Sequence, residues 1–147
     1  MDYIQELVTS LKPLLENYGF RNEGLNWFYE NESIIKIFNI QKSQFGKQFY
    51  LNIGIKIKVL ESKITYSFAG SQVGTRLDTL VRKEILDFEN DINNKVRAKE
   101  IIKMLNSNPY EFFTLTGEIE SIKKFIIDSK SFNTVTLNAK KYLGINF

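Results

Sequence analysis

The sequence predicts a single α+β domain over residues 1–147. It contains an N-terminal helix, a four-stranded antiparallel sheet built as a meander, and C-terminal helices packed on one sheet face. Three observations lead to this prediction. Apolar residues recur at helical spacing at the start of the chain and again in its second half. A period of two governs the stretch between them, and no repeat, low-complexity run or linker divides the chain.

The first predicted element is an amphipathic helix that Asp2 begins and Gly19 ends. Asp2, with Gln5 three residues later, is typical of a capping box, and Gly19 stands where a glycine commonly closes a helix. Pro13 removes one backbone donor, so we expect a bend near residues 9–10 and not a break. The apolar stripe consists of Ile4, Leu7, Val8, Leu11, Leu14, Leu15 and Tyr18.

Four strands are predicted next, joined by turns short enough to make neighbouring strands antiparallel. They cover residues 25–29, 33–42, 48–60 and 64–69. The third strand carries the clearest pattern, because its residues alternate strictly, so one face should pack on a core while the other stays open or partly covered. The apolar face has Phe49, Leu51, Ile53, Ile55, Ile57 and Val59, and the polar face has Gln48, Tyr50, Asn52, Gly54, Lys56 and Lys58.

The second half of the chain is predicted to be helical. Residues 70–74 are typical of a polar breaker, and Thr75 with Asp78 forms a capping pair for a helix whose apolar stripe runs from Leu77 to Phe88. Further helices are predicted over residues 92–105, 117–129 and 136–143.

The residue content excludes several kinds of chemistry. The chain contains no cysteine and no histidine, so disulfides, sulfur or imidazole metal sites and Ser–His or Cys–His nucleophile pairs are ruled out. Any catalysis would have to rest on carboxylates, Lys, Tyr, Arg or an oxygen-bound metal. We therefore assign no cofactor, no metal site and no catalytic residue, and the sequence favours a protein that is not an enzyme.

Hydropathy predicts where in the cell the protein is found, and charge shows which parts of the chain are basic. The N-terminus lacks the basic start and apolar run of a signal peptide, and no apolar run is long enough to span a bilayer. We expect a cytoplasmic protein that does not engage a membrane. The net charge is +3 and uneven: residues 41–60 carry four lysines and no acid, whereas residues 1–40 carry six acids and three basic residues.

The polar face of the long strand is the first candidate site. Tyr50, Asn52, Lys56 and Lys58 should project together, and Gly54 indicates a bulge or a close approach by another backbone. This pattern predicts either a binding surface with an aromatic residue and two cations or an ordinary solvated sheet face. A basic sheet with aromatics is also compatible with nucleic acid, although the strand order predicted here differs from that of an RNA-recognition domain.

Arg76 and Gln41 complete the set of candidate binding residues. Arg76 is predicted at the start of a helix, beside a glycine-flanked polar loop, where it would hold a carboxylate or phosphate or form a structural ion pair. The pattern of a P-loop is absent from that loop. Nucleotide binding is therefore unsupported.

Acidic residues form two small groups that solvated turns and helix caps explain. Glu30 and Glu32 flank a predicted turn, and Asp87, Glu89 and Asp91 lie between two predicted helices. Two acids can bind Mg²⁺ or share acid–base work when burial and geometry shift their pKa values. An enzyme that depends on carboxylates or a metal is the least favoured alternative.

Several segments occur in a characteristic order: LKPLLENYGF, then Trp27-Phe28-Tyr29, then IQKSQFGKQFYLNIGI and a later Arg76. Together they resemble a family of small bacterial proteins described as domain of unknown function 4304. The resemblance extends over residues 7–82 and is loose beyond them. It implies one domain in a bacterial, cytoplasmic protein and brings no established activity. The most specific parts of the resemblance are Leu11-Lys12-Pro13, Gly19-Phe20, and the stretch from Gln41-Lys42-Ser43 through Asn52-Ile53-Gly54.

Three functional hypotheses follow from these observations. The favoured one is a non-catalytic module that binds a protein partner through the open sheet face, such as an immunity protein or a small defence or regulatory factor. The second is a nucleic-acid binder that uses Lys56 and Lys58. The third is an enzyme that depends on carboxylates or a metal. The sequence does not determine the oligomeric state.

Overall fold

The computed structural model describes residues 2–77, 83–107, 110–129 and 134–145. Within these ranges, one six-stranded antiparallel sheet contains the strands in chain order, and the sixth strand has just two residues. The α-helices are α1 (Tyr3–Glu16), α2 (Asn94–Leu105), α3 (Ile119–Ser129) and α4 (Leu137–Leu143). The strands are β1 (Arg21–Glu23), β2 (Asn26–Glu30), β3 (Ile34–Lys42), β4 (Phe49–Ile57), β5 (Val73–Arg76) and β6 (Thr134–Val135). Short 3-10 turns cover Lys58–Leu60, Lys83–Leu86 and Phe112–Thr114.

Helix α1 begins after Asp2 and is closed at Gly19, as its sequence predicts, but none of the described hydrogen bonds joins Gln5 to Asp2 as a capping box would. The Asp2 carboxylate accepts a hydrogen bond from the backbone N–H of Ile4 at 3.0 Å, and the helix continues through Pro13. Gly19 adopts a φ of 84°, in the left-handed region that favours glycine. The Phe20 N–H then reaches back to the Leu15 carbonyl at 3.1 Å, which closes the helix in the manner of a glycine C-cap.

The main core lies between the helices and one face of the sheet, which we call the first face. From the long strand β4, the side chains of Phe49, Leu51, Ile53, Ile55 and Ile57 enter this core with exposed fractions of 0–2%. All four helices contribute to the same cluster, so the prediction that helices gather on one sheet face is confirmed. Fully buried contributions from the helices include Leu7, Leu11, Leu15, Ala98, Ile101, Leu105, Ile122, Ile126 and Ala139. Val59 is an exception to the predicted pattern: β4 ends at Ile57, and Val59 is 73% exposed on the following turn.

The predicted number and identity of the strands need correction. Residues 64–69 are not a strand. The strand that pairs with the other edge of β4, away from β3, is β5, which the sequence had suggested was a polar breaker followed by a helix cap. The short strand β1 was also missed. The sequence of residues 64–69 resembles that of a strand because Tyr66 and Phe68 alternate with polar residues. These two side chains pack on the sheet surface, but the segment does not join the hydrogen-bond ladder of the sheet.

The second sheet face, opposite the helices, is half covered by residues 61–72, which we call the covering segment. Tyr66 and Phe68 of this segment pack on a small apolar cluster. Tyr66 stacks on the Phe28 ring, with ring centroids 4.3 Å apart. The sheet residues of the cluster are Phe28, Ile35 and Ile37.

A pair of glycines allows the covering segment to approach the sheet closely. Gly54 of β4 lies directly opposite Gly74 of β5. A Cβ at position 54 would clash with Ser71 Oγ and stand 2.8 Å from Ser71 Cβ, and a Cβ at position 74 would stand 3.3 Å from the Phe68 ring. The sequence predicted a bulge or a close approach by another backbone at Gly54. The regular register contains no bulge, and the atoms closest to Gly54 belong to the side chains of Ser71 and Phe68.

The predictions for the C-terminal helices are largely confirmed. Helices α2, α3 and α4 match the predicted ranges to within two residues at each end. The helix predicted from Thr75 onward is wrong at its start, because Thr75 and Arg76 belong to β5, and the described end of that region is the 3-10 turn Lys83–Leu86. Asp78, Leu80 and Val81, on which that prediction also depended, lie outside the described residues.

Replacing Gly54 by Ala should destabilise the protein, because the added methyl group cannot fit against Ser71. We expect the free energy of unfolding to fall by about 1–3 kcal/mol, the usual cost of overpacking a filled site. Gly74→Ala should cost less, since its nearest neighbour is a ring at 3.3 Å. Urea-induced unfolding measures both values.

A double-mutant cycle identifies the clash as the cause. Removing the Ser71 side chain should relieve it, so Gly54→Ala combined with Ser71→Gly should lose less stability than the two single losses together. Strict additivity, or a Gly54→Ala variant as stable as the wild type, would contradict the close approach.

Candidate functional site

The uncovered half of the second face is crossed by a row of polar side chains. Asn26, Asn39, Asn52 and Arg76 stand directly opposite one another on the four neighbouring strands β2 to β5. We call these four residues the amide–arginine row. Gln41 and Tyr50 form the next pair along β3 and β4 on the same face.

Hydrogen bonds between side chains join this row across the sheet. Asn39 Nδ2 donates to Asn26 Oδ1 at 3.0 Å, and Asn52 Nδ2 donates to Asn39 Oδ1 at 3.0 Å and to Gln41 Oε1 at 3.2 Å. The Phe68 N–H donates to Asn26 Oδ1 at 3.1 Å, which ties the covering segment to the end of the row. The amides are therefore held in fixed orientations.

Arg76 is positioned from two sides. Its Nη2 donates to Gln41 Oε1 at 3.2 Å, and its guanidinium carbon lies 4.3 Å from the centre of the Tyr50 ring, within the range of a cation–π contact. Arg76 forms no ion pair with another described residue. Four of the six predicted binding residues are thus brought together: Gln41, Tyr50, Asn52 and Arg76.

Lys56 does not lie on an open surface. The covering segment buries it to 1% exposure, and its Nζ donates to both the backbone carbonyl and the hydroxyl of Thr65. Burial lowers the pKa of Lys56, an effect that nearby Glu61 partly offsets. The lysine therefore fastens the covering segment to β4, and the sequence missed this role because the segment looked like a strand.

Lys58 is likewise engaged inside the molecule. Its Nζ lies 2.9 Å from a Glu30 carboxylate oxygen and 3.1 Å from the Asn31 carbonyl. The hydroxyl of Tyr66 donates to the same carboxylate at 3.0 Å. The hydrogen bonds from Lys58 and then Tyr66 hold the pKa of Glu30 below its ordinary value. The sequence placed Lys56 and Lys58 beside Tyr50 and Asn52 as part of one binding surface. In the structure the two lysines instead hold Thr65 and Glu30.

The acidic residues do not form a metal centre in the part of the chain that the structure describes. Within those residues, no group of three or more carboxylates is arranged to hold a metal ion. Glu32, Glu89 and Asp91 are exposed, and Asp87 accepts a hydrogen bond from the Glu89 N–H at 2.9 Å, as in a local turn. Across the described ranges, no helix combines the length and apolar character needed to cross a bilayer.

The family can be decided at this point. A family model described as "Domain of unknown function (DUF4304)" matches residues 11–115. The chain belongs to the DUF4304 family. Neither the search of curated proteins nor that of solved structures gave a significant match.

The DUF4304 region contains the whole candidate site. Strands β1 to β5, the covering segment and helix α2 all lie within residues 11–115, whereas α3, β6 and α4 follow that region. The amide–arginine row, Gln41 and Tyr50 are therefore part of the region that the family model describes. The match itself assigns them no role.

Two buried cations in the DUF4304 region were not singled out from the sequence. Arg97 of α2 is 1% exposed and donates to the carbonyls of Glu84, Ile85 and Asn90. It is also one of the residues that line a cleft of about 870 Å³ beside α1. The sequence gave no signal for its burial, because an arginine in a helix most often lies on the solvent face.

Lys36 is the second of these cations, and it lies in the main core. Its side chain is 2% exposed, and its Nζ donates to the carbonyls of Phe112 and Phe113, each at 3.0 Å. The ammonium also lies 4.9 Å from the centre of the Tyr29 ring. Burial lowers the pKa of Lys36 from 10.5 to about 8. No carboxylate balances this charge among the described ion pairs.

Stability should depend on pH through Lys36. Below pH 8 the lysine is charged in both the folded and the unfolded chain, so the cost of burying the charge is present in full. Between pH 8 and 10.5 the folded protein loses its proton first. The free energy of unfolding of the wild type, relative to Lys36→Met, should therefore rise over this window by on the order of 3 kcal/mol.

Urea-induced unfolding at several pH values between 7 and 10.5 measures this difference. Lys12→Met is the matched control, because it makes the same change at an exposed lysine and removes no buried charge. A difference between the wild type and Lys36→Met that stays constant across the window would show that the burial does not perturb the lysine.

Proposed function

We propose that this DUF4304 protein is a non-catalytic binding protein that engages a protein partner through the uncovered half of the second sheet face. One observation carries the proposal. The covering segment occupies half of that face, and the other half presents polar side chains already fixed by hydrogen bonds among themselves. Apart from Asn52, these side chains are half-buried or exposed, so a partner can reach them.

The composition of this surface favours protein recognition. Tyr and Arg are the residue types most often found to dominate the energy of protein interfaces, and Tyr50 with Arg76 supplies one of each in contact. Side chains that are ordered before binding lose less conformational entropy when a partner arrives. A shallow groove beside the row, between Asn39 and Phe68, adds room for a partner side chain.

The nucleic-acid alternative has less support. It depended on Lys56 and Lys58 as surface cations, and these two side chains hold Thr65 and Glu30 instead. The Tyr50 ring, which would have to stack on a base, has Arg76 over it. An enzyme that depends on carboxylates has no converging set of acids among the described residues.

The proposal also covers the cellular location of the protein and the class of binding protein to which it belongs. The absence of cysteine and histidine and the small size of the chain suit an immunity protein or a small defence or regulatory factor that acts in the bacterial cytoplasm. Such proteins act by occupying a partner and need no reactive side chain of their own. The sheet face is the surface that this role would use.

Affinity capture with matched variants tests the proposal. The tagged wild-type protein should retain a stoichiometric protein partner from a lysate of its native host. Tyr50→Ala combined with Arg76→Ala should lose that partner by at least about tenfold, because both anchors of the surface are removed. Quantitative mass spectrometry of the captured proteins provides the measurement.

A matched control pair lies on helix α4, on the other side of the sheet. Tyr142→Ala combined with Lys141→Ala also removes one exposed aromatic and one cation, and it should keep the partner. Equal loss in both double variants, or a wild-type protein that captures no stoichiometric partner and is a monodisperse monomer, would reject the proposal. Binding of single-stranded oligonucleotides that weakens with salt and depends on Arg76 would favour the nucleic-acid alternative instead.

A further inference from the structure

We propose that the binding surface recognises a carboxylate group of an acidic segment in the protein partner, and that Arg76 and Gln41 bind it together. This inference rests on the proposed function and names the chemistry of the partner. Arg76 lies in the uncovered half of the second face, half-buried and without an ion pair to any described residue. The carboxylate would supply that missing partner.

The hydrogen bonds of Gln41 determine which of its atoms a partner meets. Gln41 Oε1 accepts from both Asn52 Nδ2 and Arg76 Nη2, at 3.2 Å each, which uses the two lone pairs of that oxygen. Its Nε2 donates to no described residue, and Gln41 is exposed. The amide therefore turns its donor side outward, beside the guanidinium.

The Tyr50 ring lies against the guanidinium of Arg76, whose carbon is 4.3 Å from the ring centre. One Nη2 hydrogen bond is used, and the remaining N–H groups of Arg76 lie in the plane of the guanidinium, along its edges. A guanidinium edge matches the two oxygens of a carboxylate in a bidentate pair. The adjacent Gln41 amide can donate a third hydrogen bond to the same group.

Asn52 acts as a positioning residue in this arrangement. It is 4% exposed, so it does not meet the partner itself. By donating to both Asn39 and Gln41, it holds the Gln41 amide in the orientation that leaves Nε2 free. The chain of hydrogen-bonded side chains thus extends from Asn26 to Gln41 and Arg76, the two residues proposed to bind the carboxylate.

The charge of the surface favours a carboxylate over a phosphate chain. Arg76 contributes one positive charge, whereas Lys56 of β4 and Lys58 of the turn that follows are engaged with Thr65 and Glu30. Nucleic-acid sites neutralise several phosphates with several cations and lose affinity steeply with salt. A single guanidinium with a neutral amide beside it suits one monoanionic group.

Titration of the ¹⁵N-labelled protein with a capped hexaglutamate peptide, followed by NMR, tests the inference. The Arg76 Nε–H and Gln41 Nε2 signals should shift and saturate with this peptide and should not respond to a capped hexaglutamine peptide. Arg76→Lys should weaken binding by at least about tenfold, because it keeps the charge and loses the bidentate edge. A six-nucleotide single-stranded DNA should bind more weakly than the glutamate peptide.

Gln41→Glu is the most informative variant. It places a carboxylate where Arg76 already donates, so the protein supplies its own partner group and the peptide should no longer bind. Its thermal unfolding should match that of the wild type or exceed it, which separates occupancy of the site from loss of the fold. Gln41→Glu that still binds the peptide with wild-type affinity would overturn the inference.

The outcomes distinguish this inference from the proposed function. If the glutamate peptide causes no shift at Arg76, or if Arg76→Lys binds equally well, the carboxylate inference fails, although partner capture that depends on Tyr50 and Arg76 would still support the binding role. If the oligonucleotide binds more tightly than the peptide, the inference fails in favour of phosphate. If the wild-type protein also captures no stoichiometric partner, both proposals fail.

Discussion

The second face of this DUF4304 protein depends on one steric constraint, the close approach of the covering segment to the sheet at Gly54. No side chain fits there, because Ser71 already occupies the space that a Cβ would need, and the Phe68 ring lies over the paired Gly74. This approach decides which half of the face is closed. It buries Lys56 beneath Thr65 and leaves the amide–arginine row uncovered. An apolar cluster and a polar surface can therefore share one sheet face.

Buried cations fix the loops of this domain more than ion pairs do. Lys36, Lys56 and Arg97 each donate to backbone carbonyls of a segment far along the chain or of an irregular loop. Carbonyls suit this purpose because a loop has several of them without partners, and an ammonium or guanidinium can satisfy more than one. The cost is the desolvation of the charge, which lowers the pKa of all three groups. Lys36 and Lys56 hold the Phe112–Thr114 turn and the covering segment against the sheet, and Arg97 holds the Lys83–Leu86 turn against helix α2.

The amide–arginine row follows from strand register. In an antiparallel sheet, residues directly opposite one another bring their side chains close together, so three asparagines at matching positions on β2, β3 and β4 can hydrogen-bond in sequence. Arg76 joins them because β5 pairs with β4 in the register that sets it opposite Asn52. A surface ordered in this way before any partner arrives is well suited to recognition, and this supports the proposed binding role. The same register places the exposed amide of Gln41 beside a guanidinium that has no ion pair with any described residue.

The sequence by itself determined the elements that have a strong period, together with the absence of histidine and cysteine chemistry. Helix α1, strands β2 to β4 and helices α2 to α4 were predictable because a buried stripe repeats at 3.6 or 2.0 residues. It also brought Gln41, Tyr50, Asn52 and Arg76 into the candidate set. The tertiary structure alone decided that residues 64–69 lie across the sheet, that β5 is a strand and that Lys56 is buried. A local period reports which side chains are buried and not what buries them, so a segment packed on a sheet and a strand within it show the same alternation.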